Sequence, residues 1–194
     1  MTRMVPIVVT VLTLAAAAHA QTPAAQAQTP AAPTTDPIEK ALLAAPGNLR
    51  ANATVIRWKP DFTHEVLRQG TNQLVCYDRS GAPLQQPFAV ECTMAGNLPR
   101  VAQNMKLEAA GGDRAKTNAL LEAAEKDGTR VKPIFGTVFY NQSGPDQARM
   151  RPHMTVAVPG ATTATLGFPE TGASGGVWIM NAGTSTAHLM IPGQ

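Results

Sequence analysis

Charge, aromatic side chains and cysteine are all scarce in this 194-residue sequence. Charged residues make up 15% of the chain, against about 25% in ordinary globular proteins. The net charge is only +3, which does not provide the clustered basic face that a nucleic-acid interface requires. The composition therefore excludes a coiled coil, a collagen-like chain and a polytopic membrane protein, and it predicts no nucleic-acid partner.

The first 20 residues have the pattern of a secretory signal peptide. Arg3 supplies the positive charge, residues 5–18 form an apolar segment, and residues 18–20 form an A-x-A cleavage site. The apolar segment is shorter than the roughly 20 residues of a transmembrane helix, which argues against the alternative of an uncleaved anchor. The pattern predicts export, a mature chain that begins at Gln21 without a stable membrane span, and a periplasmic or secreted location.

Residues 21–35 read QTPAAQAQTPAAPTT, with no charge and no large apolar side chain. Such a segment cannot bury a core, so we expect a disordered linker. The remaining chain, residues 36–194, holds roughly 160 residues, and a chain of that size buries on the order of 68–70% of its surface on folding. We therefore expect a single domain over this range.

The first part of that domain predicts one short helix and three strands. Asp36 is placed to cap a helix that starts at Pro37 and stops at Pro46-Gly47. Strand-like segments follow at residues 53–58, 66–69 and 73–77. Residues 70–72, Gly-Thr-Asn, lie between the last two strands and predict a hairpin turn in an antiparallel meander.

The second part predicts two helices and four more strands. Leu98, Val101 and Met105 follow a helical spacing that the Gly111-Gly112 pair interrupts. Residues 113–127 predict another helix, with an expected buried stripe of Ala119, Leu120, Ala123 and Ala124. The later strands are expected at residues 134–140, 154–158, 177–180 and 187–191. This order predicts an α+β fold, an antiparallel sheet with two or three helices packed on it.

Cys76 and Cys92 are the only cysteines. Because export places the chain in an oxidising compartment, the even count favours one structural disulfide. The enclosed loop of about 15 residues would contribute about 3 kcal/mol to the free energy of unfolding. A thiol metal site and a redox pair are the alternatives, but a redox pair normally has the spacing C-x-x-C, which is absent.

Catalytic motifs are incomplete throughout the chain. Ser174 lies in a G-x-S-x-G match, but no acidic residue follows Glu170 and a strand, not a helix, is expected next. His64-Glu65 begins a zinc-protease motif whose second histidine is replaced by Arg68. Glu122 and Glu125 lie one helical turn apart, a pattern typical of a solvated face. No catalytic residue is therefore predicted, and a non-catalytic protein is favoured.

Two histidines lie near methionines in predicted strands. His188 and Met190 would face the same way, whereas His153 and Met154 would face opposite ways. Imidazole and thioether ligands together suit copper, so a metal site for copper or zinc is predicted at His153, His188 and Met190, with Met180 as a fourth ligand. The alternative is that these side chains pack in the core, each imidazole bonded to a backbone carbonyl.

A cleft lined by aromatic side chains would equally suit a small molecule or a protein partner. Its candidate lining residues are Trp58, Tyr77, Tyr140 and Trp178, all of which are also good core residues. The leading functional prediction is a non-catalytic periplasmic or secreted binding module for a small molecule or protein, without a cofactor. The alternatives are a periplasmic metal-handling protein and an enzyme that lacks a recognisable motif.

Several short patches within residues 50–194 share a common pattern. They are Ala53-Thr54-Val55, Leu67-Arg68-Gln69-Gly70-Thr71-Asn72, Cys76 with Cys92, Pro152-His153-Met154, residues 177–184 and His188-Leu189-Met190-Ile191-Pro192. Together they resemble a bacterial family of exported proteins of unknown function. Leu74-Val75 and Arg151 stand where that family has an aromatic residue and a glycine. The resemblance implies export, a β-rich fold and no assigned activity, and it draws attention to His153 and His188.

Overall fold

The structure is a computed structural model that describes residues 33–192. Within this range the chain forms an eight-stranded sheet with helices on both faces, which confirms the α+β class. The strands are β1 (Thr54–Trp58), β2 (His64–Arg68), β3 (Leu74–Asp78), β4 (Phe88–Met94), β5 (Val138–Gly144), β6 (Arg151–Ala157), β7 (Trp178–Met180) and β8 (His188–Pro192). The α-helices are α1 (Pro37–Ala41), α2 (Gly47–Arg50), α3 (Leu98–Gly111), α4 (Arg114–Lys126) and α5 (Thr163–Leu166).

The predicted signal peptide, residues 1–20, and nearly all of the predicted linker lie outside the described residues. Between residues 33 and 192, no helix has the length and apolar character that a membrane span requires. Four short 3-10 turns complete this part of the chain. They are Leu42–Ala44, Ala95–Asn97, Gln147–Arg149 and Gly172–Ser174.

The predicted N-terminal helix is confirmed as α1 and the turn that follows it. The Asp36 carboxylate accepts hydrogen bonds from the backbone N–H groups of Ile38 at 2.7 Å and Glu39 at 3.2 Å, as an N-cap does. Leu42 is 2% exposed and packs with β1, β3 and β4 on one face of the sheet. The N-terminal segment therefore covers that face with apolar side chains.

The predicted hairpin at residues 70–72 is wrong. The sheet order is β2-β1-β3-β4-β5-β6-β8-β7, so β1 lies between β2 and β3. The backbone N–H groups of Thr71 and Asn72 both donate to the carbonyl of Asn52, at 2.9 and 3.1 Å. Gly70 passes so close to this backbone that a Cβ would clash with it. The segment therefore wraps around the start of β1 and enters the sheet on its other side.

As a consequence, the sheet is mixed and not fully antiparallel. The pair β1–β3 is parallel, whereas the other neighbouring pairs are antiparallel. The later strands match their predicted positions to within a few residues, except that β5 begins at Val138 and not at Ile134. A turn occupies the residues before β5. In this turn Gly136 has a left-handed φ of 76°, and the Thr137 hydroxyl donates to the Ile134 carbonyl at 2.6 Å.

The two long predicted helices are confirmed as α3 and α4. Gly112 ends α3 with a left-handed φ of 73°, and the Asp113 carboxylate caps α4 by accepting from the Lys116 N–H at 2.9 Å. Helices α1, α2 and α5 are additional single turns. The prediction of two or three helices therefore fits only the longer helices.

The expected buried stripe on α4 is wrong. Ala119 and Ala123 are exposed, because α4 packs against α3 and stands away from the sheet.

The predicted disulfide between Cys76 and Cys92 is present. The two residues lie directly opposite each other in the register of β3 and β4, and both are fully buried on the sheet face covered by α1. The bridge therefore joins two central strands within the apolar half of the sheet.

We expect the double variant Cys76→Ser/Cys92→Ser to lose about 3 kcal/mol of unfolding free energy, because the closed loop no longer restricts the unfolded chain. Urea denaturation followed by circular dichroism measures the change. Wild-type protein unfolded in the presence of a reductant should show the same loss, and the reductant should leave the double variant unchanged. Equal midpoints for wild type and variant would contradict a stabilising bridge.

Candidate functional site

A cavity of about 530 Å³ lies between the α3–α4 pair and strands β4, β5, β6 and β8. It exists because α4 rests on α3 and the sheet beneath is left partly uncovered. Most of its lining residues are polar, although polar and apolar atoms contribute about equally to its surface, and charged or titratable side chains reach it from both walls. They are Arg79, Glu91, Arg100, Glu108, Glu122, Glu125, Arg130, His153 and His188.

A row of polar side chains forms the sheet wall of the cavity. Glu91 of β4 lies opposite Asn141 of β5, and Asn141 lies opposite His153 of β6. Residues that are directly opposite on neighbouring strands point to the same face. The strand register therefore places these three side chains next to one another. They make this part of the sheet face polar.

On the helix side of the cavity, the lining side chains of α3 are four residues apart. Arg100, Asn104 and Glu108 of α3 all line the cavity, as expected for side chains that share one helical face. On α4 the lining side chains have the same kind of spacing. They are Asn118, Leu121, Glu122 and Glu125.

Arg79, just after β3, forms a buried ion pair with Glu108. The Tyr77 hydroxyl donates to the Glu91 carboxylate in the same cluster. Burial raises the pKa of Glu91, and the positive charge of Arg79 only partly opposes this. Burial opposes the charge on Arg79, but the carboxylates of Glu91 and Glu108 outweigh it and raise the pKa of Arg79. In this cluster two acidic side chains therefore act on one guanidinium group.

Arg100 and Arg130 are each only 6% exposed. Burial, followed by the nearby charge of Arg130, lowers the pKa of Arg100 to about 10. Burial also lowers the pKa of Arg130. In the described part of the chain, neither guanidinium has a carboxylate oxygen within the 4.0 Å of an ion pair. The two cations therefore line the same cavity without a carboxylate in contact, and the charge of Glu125 acts on both of them from further away.

Glu125 of α4 lines the cavity and is hydrogen-bonded to Ser185. One of its carboxylate oxygens accepts from the Ser185 N–H at 2.9 Å, and the other accepts from the Ser185 hydroxyl. The hydroxyl and then the backbone N–H lower the pKa of Glu125 despite partial desolvation. The sequence pattern indicated a solvated face for Glu122 and Glu125. Both are exposed, but Glu125 also ties α4 to the loop between β7 and β8.

His188 and His153 both line the cavity. The Nδ1 atom of His188 lies 2.7 Å from the Thr186 carbonyl, so Nδ1 carries the proton and Nε2 carries the lone pair. Burial, and then the charge of His188, lowers the pKa of His153. Burial lowers the pKa of His188, and the Arg100 charge adds to this while the Thr186 bond opposes it.

The structure brings together part of the predicted metal set. His153 and His188 share the cavity, and Met190 faces the same side of β8 as His188, but Met190 does not line the cavity. Met180 is 41% exposed on the edge strand β7. Across residues 33–192, no three or more His, Cys, Asp or Glu side chains are grouped to hold a metal ion. The His–Met site stays a prediction.

The other sequence candidates lie elsewhere. Trp58 packs edge-on against Tyr77 at 5.7 Å and against His64 at 5.3 Å, beneath α3. Tyr140 packs on the face covered by α1, and neither it nor Trp178 lines the cavity. The predicted aromatic cleft is therefore not formed by these residues. Ser174 lies in an exposed 3-10 turn, as expected for a glycine loop.

Sequence reasoning missed the arginines and the acidic residues of this site. A signal existed on α3, where Arg100, Asn104 and Glu108 repeat every four residues beside the apolar stripe. No comparable signal existed for Arg79 and Arg130, because their positions depend on contacts between distant segments.

The chain matches no protein-family model, no curated protein and no solved structure. The resemblance to exported bacterial proteins stays a prediction drawn from short patches of sequence. The geometry and charge of the cavity are therefore what point to its function.

Because the pKa values of His153 and His188 lie below their usual 6.5, the unfolded chain binds more protons than the folded chain just below pH 6.5. Stability should therefore be fully present above that pH and fall as the pH decreases. We expect the thermal midpoint to fall between pH 7 and pH 5.5, and to fall less in His153→Asn/His188→Asn. His64→Asn should retain the wild-type slope, and equal slopes in wild type and double variant would contradict this assignment.

Proposed function

We propose that the protein is an exported, non-catalytic binding module that holds a small polar organic molecule in the cavity beneath α3 and α4. The observation that carries this proposal is the pair of buried guanidinium groups, Arg100 and Arg130, on the wall of a cavity of about 530 Å³. Sites for small ligands commonly measure about 300–1,000 Å³. The cavity is large enough for a metabolite-sized molecule.

Energetics support a ligand over a purely structural role for these arginines. A buried charge that lacks a partner is costly, and proteins rarely retain one without a use. Arg100 and Arg130 face the cavity and lack an ion pair among residues 33–192. A bound polar molecule would supply the missing partners.

The chemistry of the two arginines suits ligand binding. A guanidinium group donates hydrogen bonds but does not accept a proton or attack a substrate. The Nδ1 of His188 is already used on a backbone carbonyl, which holds the ring in one orientation. These groups orient and retain a ligand.

Export is part of the proposal. The signal-peptide pattern of residues 1–20 supports it, and the buried Cys76–Cys92 disulfide is compatible with an oxidising compartment. A periplasmic or secreted binding protein would meet its ligand in that compartment.

Blocking the cavity tests the proposal. Thr155 lies on the sheet wall, and Thr155→Trp should fill the space that a ligand needs. We expect native mass spectrometry of protein purified from its producing cells, or thermal-shift screening against metabolites, to reveal a ligand that stabilises wild type and not Thr155→Trp. Val66→Trp, on the exposed face of β2, is the matched control. Ligand binding that survives in Thr155→Trp would contradict the assigned cavity.

A metal-handling function is the second candidate, because His188 has the arrangement of a metal ligand. A ligating histidine typically donates its other N–H to a carbonyl, as Nδ1 of His188 does to Thr186. His153, His188 and Met190 would be the ligands of copper or zinc, with Met180 as a fourth.

Elemental mass spectrometry of untagged mature protein, purified without chelators, tests this candidate. Metal handling requires a near-stoichiometric copper or zinc signal that is lost in His153→Ala/His188→Ala, with the fold retained by circular dichroism. His64→Ala serves as the control. A metal-free protein that also takes up no added Cu(I) would rule out the metal function and leave the small-molecule proposal in place.

A further inference from the structure

We propose that the ligand of this cavity is an anion, a small molecule whose carboxylate or phosphate group is held by Arg100 and Arg130. This inference rests on the binding function proposed above and specifies the chemical class of its ligand. The two arginines come from separate segments, α3 and the chain between α4 and β5. They meet only in the folded protein, at one end of the cavity.

Several N–H groups of the two arginines have no hydrogen-bond partner between residues 33 and 192. A guanidinium group has five N–H donors. Within the described residues, Arg100 uses Nη1 on the Val131 carbonyl. Arg130 uses Nη1 on Gln103 Oε1 at 2.6 Å and Nη2 on Asn104 Oδ1, while its buried Nε has no partner. These neutral partners orient the two arginines without neutralising them.

Three of the four acidic side chains that line the cavity have partners other than Arg100 and Arg130, and the fourth is the exposed Glu122. Both carboxylate oxygens of Glu125 accept hydrogen bonds from Ser185, and Glu108 pairs with Arg79. Glu108 lies eight residues from Arg100 on α3, or about 12 Å along the helix axis. In the part of the chain that the structure describes, Arg100 and Arg130 therefore lack an ion pair of their own, although the charge of Glu125 acts on both groups and that of Glu108 acts on Arg130.

An anionic group fits the two arginines chemically. Carboxylate and phosphate oxygens match the planar fork of a guanidinium group and form charge-assisted, often bidentate hydrogen bonds. His188 lies near Arg100 and further favours negative charge when it is protonated. A neutral ligand would leave the two buried guanidinium groups without an ion-pair partner, which is unfavourable.

Calorimetric titration of the full mature chain at low ionic strength tests the inference, with inorganic phosphate and succinate as probes and succinamide as the neutral control. We expect at least one anion to bind and succinamide not to bind. The anion that binds distinguishes a phosphate ligand from a carboxylate ligand.

Arg100→Gln and Arg130→Gln should each weaken anion binding at least about tenfold, the loss expected for a charge-assisted hydrogen bond. Arg57→Gln removes an exposed arginine on β1 and should bind as wild type does. Arg100→Lys retains the charge but not the fork, so it should fall between wild type and Arg100→Gln.

A measurement on the wild type keeps the inference testable if a variant fails to fold. In NMR titrations, an anion seated beside Arg100 should raise the pKa of His188, whose other charged neighbour is His153. An unchanged His188 titration in saturating phosphate and succinate, or anion affinity that both arginine variants retain, would overturn the inference.

Failure of this inference is distinguishable from failure of the proposed function. Suppose that a neutral ligand binds, that Thr155→Trp blocks its binding and that Arg100→Gln does not affect it. This result would overturn the inference that the ligand is an anion, but it would support the binding function. A wild-type protein that carries no ligand and binds none of the screened molecules would overturn both.

Discussion

The buried ion pair between Arg79 and Glu108 is the contact on which the site depends. It joins the end of β3 to the last turn of α3, and both side chains are largely shielded from water. Buried ion pairs often add little net stability, but they are demanding in geometry. We infer that this pair sets the position of α3 over the sheet. Arg100, two turns earlier on the same helix, is thereby held over the second half of the sheet.

The helices contact the two halves of the sheet through different kinds of interaction. Under α1, and under the start of α3, side chains from β1, β3 and β4 pack into apolar clusters that also contain the disulfide. Across β5, β6 and β8, helix and sheet are joined through polar contacts, of which Glu125 with Ser185 is the clearest. A further apolar cluster around Val158, Ile179 and Ala187 lies beside β6, β7 and β8, so this half of the sheet combines apolar packing with the polar cavity.

Local chemistry explains which expectations succeeded. The cap at Asp36 and the break at Gly112 each depend on a few neighbouring residues, so the sequence alone located them. The hairpin at residues 70–72 failed because strand-like segments do not specify their partners. The close approach of Gly70 to the chain before β1, and not the turn composition, decided the pairing.

The sequence by itself determined the α+β class, the two long helices, the approximate strands and the Cys76–Cys92 pair, because these follow from periodicity, capping and cysteine count. Only the tertiary structure decided the mixed strand order and the cavity. Arg100 and Arg130 are 30 residues apart in the chain, and their charges become a site only when α4 packs on α3 and not on the sheet. Long-range packing, which no local pattern encodes, therefore placed the proposed ligand site.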